Sequence, residues 1–181
     1  MIDIEDKKAL TLISENNTVG LQCIFDKYYA GLCDFASLYV QQSDVASDLV
    51  TEFFIKFWNQ RHQIQITGSV KAYLYKSIKN AAFNHLRGRK KEMMNYEDYS
   101  EVLISTELSP DEQMEFKEFQ DELDVFSNSL PQRRKIILKL KLDAGLSNQE
   151  IAQTLQVAES TVKNQLRSAV ISLKDKFKIK K

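Results

Sequence analysis

The chain has 181 residues, enough for one ordinary domain or two small ones. Five Gly and two Pro against abundant Leu, Ile, Lys, Glu and Gln favour helix, and no apolar run approaches the ~20 residues of a membrane span. Twenty-five basic side chains balance twenty-five acidic ones, and two Cys and two His at no metal-ligand spacing argue against a metal site, so no metal and no cofactor are expected.

The acidic start, MIDIEDKK, lacks the basic-then-apolar plan of a signal peptide, so a cytoplasmic protein is expected. Cys23 and Cys33 are then expected to be small buried hydrophobes in a reduced compartment. Apolar positions at helical spacing predict helices over 3–15 and about 18–39, the second with Leu21, Phe25, Tyr28, Leu32, Phe35 and Leu38. After the polar break QQSD, Ser43 is the expected cap of SDVASDLVTEFFIKFWNQR, where Val45, Leu49, Phe53 and Phe57 follow i, i+4 spacing. The loop HQIQITG leads into SVKAYLYKSIKNAAFNHLRGRKK, whose expected buried side is Val70, Leu74, Ile78 and Ala81. These segments make a helical domain over 1–91.

Residues 92–110 are acidic and polar with weak periodicity, the composition of a linker. Helix resumes near Pro110-Asp111, with Phe116, Phe119, Leu123 and Phe126 as its stripe. Pro131 starts PQRRKIILKLKLDAGLS, which an Asp143-Ala144-Gly145 corner ends. Two short helices complete a second, four-helix domain over 111–181. The expected fold class is therefore all-α: two small helical domains joined by an acidic linker that has no visible means of fixing their spacing.

The last two helices carry the most specific local signal. Ser147 and Glu150 have the S-x-x-E spacing of a capping box, and Ile151, Ala152 and Leu155 give the helix a small inner face. A second helix begins near Glu159, with Val162, Leu166, Ala169, Val170 and Leu173 on one side. Ser160, Lys163, Asn164, Arg167 and Lys174 fall on the other. Small Ala152 permits close approach and Val157 plugs the corner, giving a helix-turn-helix whose second helix can enter a major groove. Arg and Lys suit guanine edges or phosphates, Asn pairs with adenine, and Ser reads either. The turn, Leu155 to Glu159, has neither Gly nor a strong N-cap at Ala158, so packing must hold it. A helical hairpin with a merely solvated face is the alternative.

Charge is strongly segregated despite its zero sum. Net charge is −4 over 1–70, +7 over 71–91, −11 over 92–124 and +8 over 131–181. Two basic blocks separated by an acidic one suit two polyanion contacts joined by a tether that avoids phosphate. In the first block, Tyr73, Lys76, Asn80, Phe83 and Arg87 occupy one arc of a helix. Cations follow phosphates, and aromatics stack on unpaired bases at ~1–3 kcal/mol each, so this stripe suits a single strand. The competing reading is that Tyr73 and Phe83 pack against neighbouring helices.

The ordered set SDLVTEFFIKFW, SVKAYLYKSIKNAAFNHLR and LPQRRKIILKLKLDAGLSNQEIAQTLQVAESTVKNQLRSAVISLK resembles the extracytoplasmic-function group of bacterial sigma factors. The resemblance covers about 20–90 and 111–175, and this group keeps only the second and fourth sigma regions. It implies that Asp48, Leu49, Thr51 and Glu52 dock on the polymerase clamp helices, Thr51 standing where the family has Gln. Phe54, Phe57 and Trp58 match apolar positions beside them, with Phe57 and Trp58 mostly core. Asn80 and Arg87 match the helix that faces the −10 element, Tyr73 takes the place of a Trp, and loop 62–69 matches the one that holds a flipped base. Lys163, Asn164 and Arg167 match the −35-reading helix. The implied partners are core RNA polymerase, promoter DNA as −35 duplex and −10 single strand, and an anti-sigma factor, often membrane-anchored. Such a protein is not an enzyme, and the sequence has no P-loop, GxSxG or HExxH. The rival class is a dimeric helix-turn-helix regulator that binds a palindrome without polymerase.

Overall fold

The computed structural model describes residues 4–92, 126 and 129–177, with side chains placed for 5–88, 126 and 129–176. Among the described residues every regular element is an α-helix: α1 Ile4–Ser14, α2 Thr18–Val40, α3 Ser43–Asn59, α4 Val70–Glu92, α5 Gln132–Leu142, α6 Asn148–Leu155 and α7 Glu159–Phe177. The all-α expectation holds. The expected linker 92–110 beyond Glu92, and the helix from Pro110-Asp111 with Phe116, Phe119 and Leu123, lie outside the described residues. Phe126 is helical and buried.

Around α2, helices α1, α3 and α4 bury Ile24, Leu32, Phe35, Val50, Leu74 and Ile78 almost completely. Burying side chains of this size contributes about 1.5–3 kcal/mol each. Asn17 caps α2, its side chain accepting from the Val19 N–H at 3.0 Å. The α1–α2 seam is tight because of Gly20, where a Cβ would stand 2.4 Å from the Ala9 carbonyl. Asp6 locks the same seam. Its buried carboxylate accepts from the Tyr28 hydroxyl at 2.6 Å and from Lys27 Nζ at 2.8 Å.

Several sequence expectations shift by one position. Ser43 is the first residue of α3 and Gln42 is its cap, with no side-chain cap bond. The buried stripe of α3 is Ala46, Val50, Phe54 and Phe57, while Val45, Leu49 and Phe53 are only partly covered. Val45-Leu49-Phe53 and Ala46-Val50-Phe54 are both spaced i, i+4, and the second run is the one turned to the core, with Ala46 1% exposed. On α4 the buried set ends at Ala82 rather than Ala81. Cys23 is exposed and Cys33 half-buried, not core, because the stripe of α2 runs through Gly20, Ile24, Tyr28 and Leu32.

In the second group, Leu140, Leu146, Ile151 and Val162 are completely buried where α5, α6 and α7 meet. Gly145 closes the corner after α5 at φ +61°, and the Leu146 N–H returns to the Leu140 carbonyl at 3.0 Å. Val170 departs from expectation. It is half-exposed, and Ala169 takes the inner position.

The two groups touch each other. Helix α4 packs on α6 and α2 on α5, so the buried residues of both groups form one continuous cluster.

Candidate nucleic-acid interface

The helix-turn-helix forms as the sequence predicts. Ser147 accepts from the Glu150 N–H at 3.2 Å, and the Glu150 carboxylate accepts from the Ser147 N–H at 2.8 Å. Burial pushes the Glu150 carboxyl up, but hydrogen bonds from Ser69 and Ser147 and the charge of Lys71 outweigh it and hold it below its ordinary range. The glycine-free corner is made by Gln156, which adopts the left-handed region at φ 58° while the Val157 N–H bonds the Ala152 carbonyl at 3.0 Å. That conformation costs a non-glycine residue about 1 kcal/mol or more, and the packing of Ile151, Ala152 and Val162 holds it. Ser160, Lys163, Asn164 and Arg167 all stand exposed on one side of α7. Lys163 is paired with Glu159 at 2.9 Å, one helical turn away.

The stripe on α4 is less free. Lys76, Asn80 and Arg87 are exposed. Tyr73 is half-buried, its ring 6.3 Å from that of Phe57, and it lines a groove between α3 and α4 with Leu49, Glu52, Ile64 and Asn80. Phe83 is half-exposed and meets Tyr39 edge-on at 5.4 Å. Both aromatics therefore have protein support on one side and an open side on the other. Asn80, Phe83 and Arg87 share a cleft with Leu155 and Gln156, so the corner of the helix-turn-helix forms its far wall.

On α3, Asp48, Thr51 and Glu52 are exposed and Leu49 is half-buried. These four form a contiguous patch. Glu52 pairs with Lys56 at 2.7 Å, and Thr51 lies 3.4 Å from the Tyr29 hydroxyl. Ile55, one turn past Thr51, is 57% exposed and extends the patch with apolar surface that sequence reasoning missed. Phe57 is core as expected, whereas Trp58 is only partly covered and carries the Arg61 guanidinium over its ring at 4.5 Å. In loop 62–69, His62 Nε2 lies 3.0 Å from the Asn16 side-chain oxygen.

Two residues that sequence reasoning passed over are buried where the groups meet, Thr154 and Lys79. The signal for Lys79 was faint. Ala72, Tyr75 and Lys79 continue a second, covered side of α4 beside the Val70, Leu74, Ile78 stripe.

Comparison with known proteins decides the family. The Sigma-70 region 2 family matches residues 24–92, and the Sigma-70, region 4 family matches residues 120–173. Together these matches span about two thirds of the chain, which belongs to the sigma-70 class. It is 23% identical to the ECF RNA polymerase sigma-E factor of Haemophilus influenzae, over 96% of each chain. To the ECF RNA polymerase sigma factor SigX of Bacillus subtilis it is 24% identical, over 78% of this chain and 75% of that one. Two solved structures share its fold at a TM-score of 0.64: CnrH in complex with the cytosolic domain of CnrY, 13% identical, and RpoE in complex with the anti-sigma factor NepR from Bartonella quintana, 20% identical. The first alignment covers 96% of this chain and 97% of the other, the second 88% and 98%. In this sigma-70 chain the α4 stripe falls within region 2 and the helix-turn-helix within region 4.

Proposed function

We infer that this chain is a promoter-specificity subunit of bacterial RNA polymerase. The single observation that carries the reading is the pairing of two sigma regions, in order, each with its own polar and basic helix face. Ser160, Lys163, Asn164 and Arg167 read the −35 duplex by groove and phosphate contacts. Tyr73, Lys76, Asn80, Phe83 and Arg87 hold the melted −10 strand, the aromatics stacking on bases and the cations following phosphates. Capture of a species present only in the open state shifts the duplex-to-open equilibrium. Polymerase makes and breaks the bonds; this chain has no catalytic role. Asp48, Leu49, Thr51 and Glu52 dock on the polymerase clamp.

The domain division that goes with this reading is 1–91 for docking and −10 capture, 92–110 as linker and 111–181 for −35 recognition. The place of action is the cytoplasm, which accords with the absence, among the described residues, of any helix long and apolar enough to cross a membrane. An anti-sigma factor is the expected negative regulator, since a solved relative is held by one.

Replacing Asp48 and Glu52 together with Lys tests the docking assignment. Both carboxylates are exposed, so the fold should be kept. Assembly with core polymerase, read by size-exclusion chromatography, and run-off transcription should both be lost, with circular dichroism and melting unchanged. A double variant that still assembles at normal affinity would remove this patch from the interface.

A further inference from the structure

The contact between α4 and α6 is built in a way that a permanent interface would avoid. At one end it is sound: Ala72 and Thr154 are buried against each other, with the threonine hydroxyl donating to the Ala72 carbonyl at 3.5 Å. Beside it, Tyr75 is buried, and its hydroxyl is pushed up to about 12 by that burial and by the charges of Asp143 and Asp34. The other end holds Lys79, only 5% exposed. Its ammonium reaches a single neutral group, the Gln156 side-chain oxygen, at a long 3.4 Å. Among the described residues no carboxylate stands within 4 Å of it. The charge that acts on it is cationic, Lys76 one turn back, and Arg133 lines a cleft with it. Burial first, and then Lys76, push its ammonium below the ordinary lysine range. A buried charge without a partner opposes the arrangement that buries it.

That arrangement is also one that cannot serve both promoter elements. Gln156 touches Lys79, and Arg167 follows Gln156 by eleven residues. Chain geometry therefore keeps the two ends of the reading surface within roughly 25 Å of each other. Elements centred near −35 and −10 lie roughly 80 Å apart along B-form DNA. The contact must break for both to be read.

We propose that Lys79 is a release charge: buried with no counterion among the described residues, it keeps the α4–α6 contact weak, and once freed it joins the DNA-facing stripe as a phosphate contact. Its neighbours in the shared cleft, Asn80, Phe83 and Arg87, are the stripe residues themselves, so opening presents all four together. The proposal rests on the sigma reading for the second half of its claim and on the burial and partners of Lys79 for the first.

Opening of the free chain is read by thiol trapping. Thr154→Cys, in a full-length chain with Cys23→Ser and Cys33→Ser, places a thiol at a fully buried point of the contact. Its rate of alkylation follows the fraction of time the contact is open. Removing an unsatisfied buried charge should slow that rate about tenfold in both Lys79→Met and Lys79→Gln, while Lys79→Arg stays within about twofold of the parent. An unchanged or faster rate in both neutral variants overturns the release charge. In the holoenzyme, Lys79→Gln should also weaken binding to a −10 single-stranded oligonucleotide and reduce the salt slope by about 0.7. An unchanged slope overturns the phosphate contact. Slowed trapping in a chain that never supports promoter opening upholds the release charge and overturns the sigma reading instead.

Discussion

Helices α4 and α7 each carry a polar, basic face, yet the two faces are held very differently. On α7, Ser160, Lys163, Asn164 and Arg167 project from a helix whose other side is fixed by Val162 and Ala169. Nothing but Glu159 engages that face among the described residues. On α4, Tyr73 leans on Phe57, Phe83 meets Tyr39, and Asn80 and Arg87, though exposed, face the helix-turn-helix corner across a cleft. Under the proposed function the contrast has a reason. A duplex presents its edges to a free helix face, so α7 would need only exposure, whereas a melted strand held base by base would need aromatics braced from behind.

The largest effect expected from this contrast is at the braced aromatics. Replacing Tyr73 and Phe83 together with Ala removes two stacking platforms, each worth about 1–3 kcal/mol. Strand capture by the holoenzyme, measured with a fluorescent −10 oligonucleotide, should fall about 30-fold or more, while binding to −35 duplex stays within twofold. Equal losses in both assays would erase the distinction between the faces. Arg167→Ala comes next. It should cost about 1–3 kcal/mol at one −35 position and relax selectivity there, as measured on a panel of single-base promoter variants. The smallest effect belongs to Lys163→Ala, because Lys163 must first leave Glu159. Affinity should drop uniformly across that panel, with the salt slope falling by about 0.9.

Local chemistry made the helix-turn-helix legible. The Ser147-x-x-Glu150 spacing is a complete instruction for a helix start, and Gly145 is the residue a left-handed corner asks for. Long-range packing was harder to see. Val45-Leu49-Phe53 and Ala46-Val50-Phe54 have the same period, and only packing against α2 and α4 chooses between them. Cys23 reads as core by composition, yet lies one residue away from the buried stripe. Tyr73 and Phe83 satisfy both competing readings, since each is packed on one side and open on the other. The contact between the helical groups left almost no trace, because Ala72, Thr154 and Lys79 have no periodic apolar signature. Ile55 shows the converse: an apolar residue at helical spacing that the fold leaves exposed.

Under the proposed function, this chain captures an opened −10 strand only in the company of polymerase. Permanganate reactivity of unpaired thymines near −10 tests it most directly, with promoter DNA, this chain and core polymerase supplied singly and together. Reactivity is expected only when chain and core are both present, with weak, salt-sensitive duplex binding by the chain alone. Tight binding of a palindrome by a dimer of the chain, with no polymerase-dependent reactivity at −10, would contradict it.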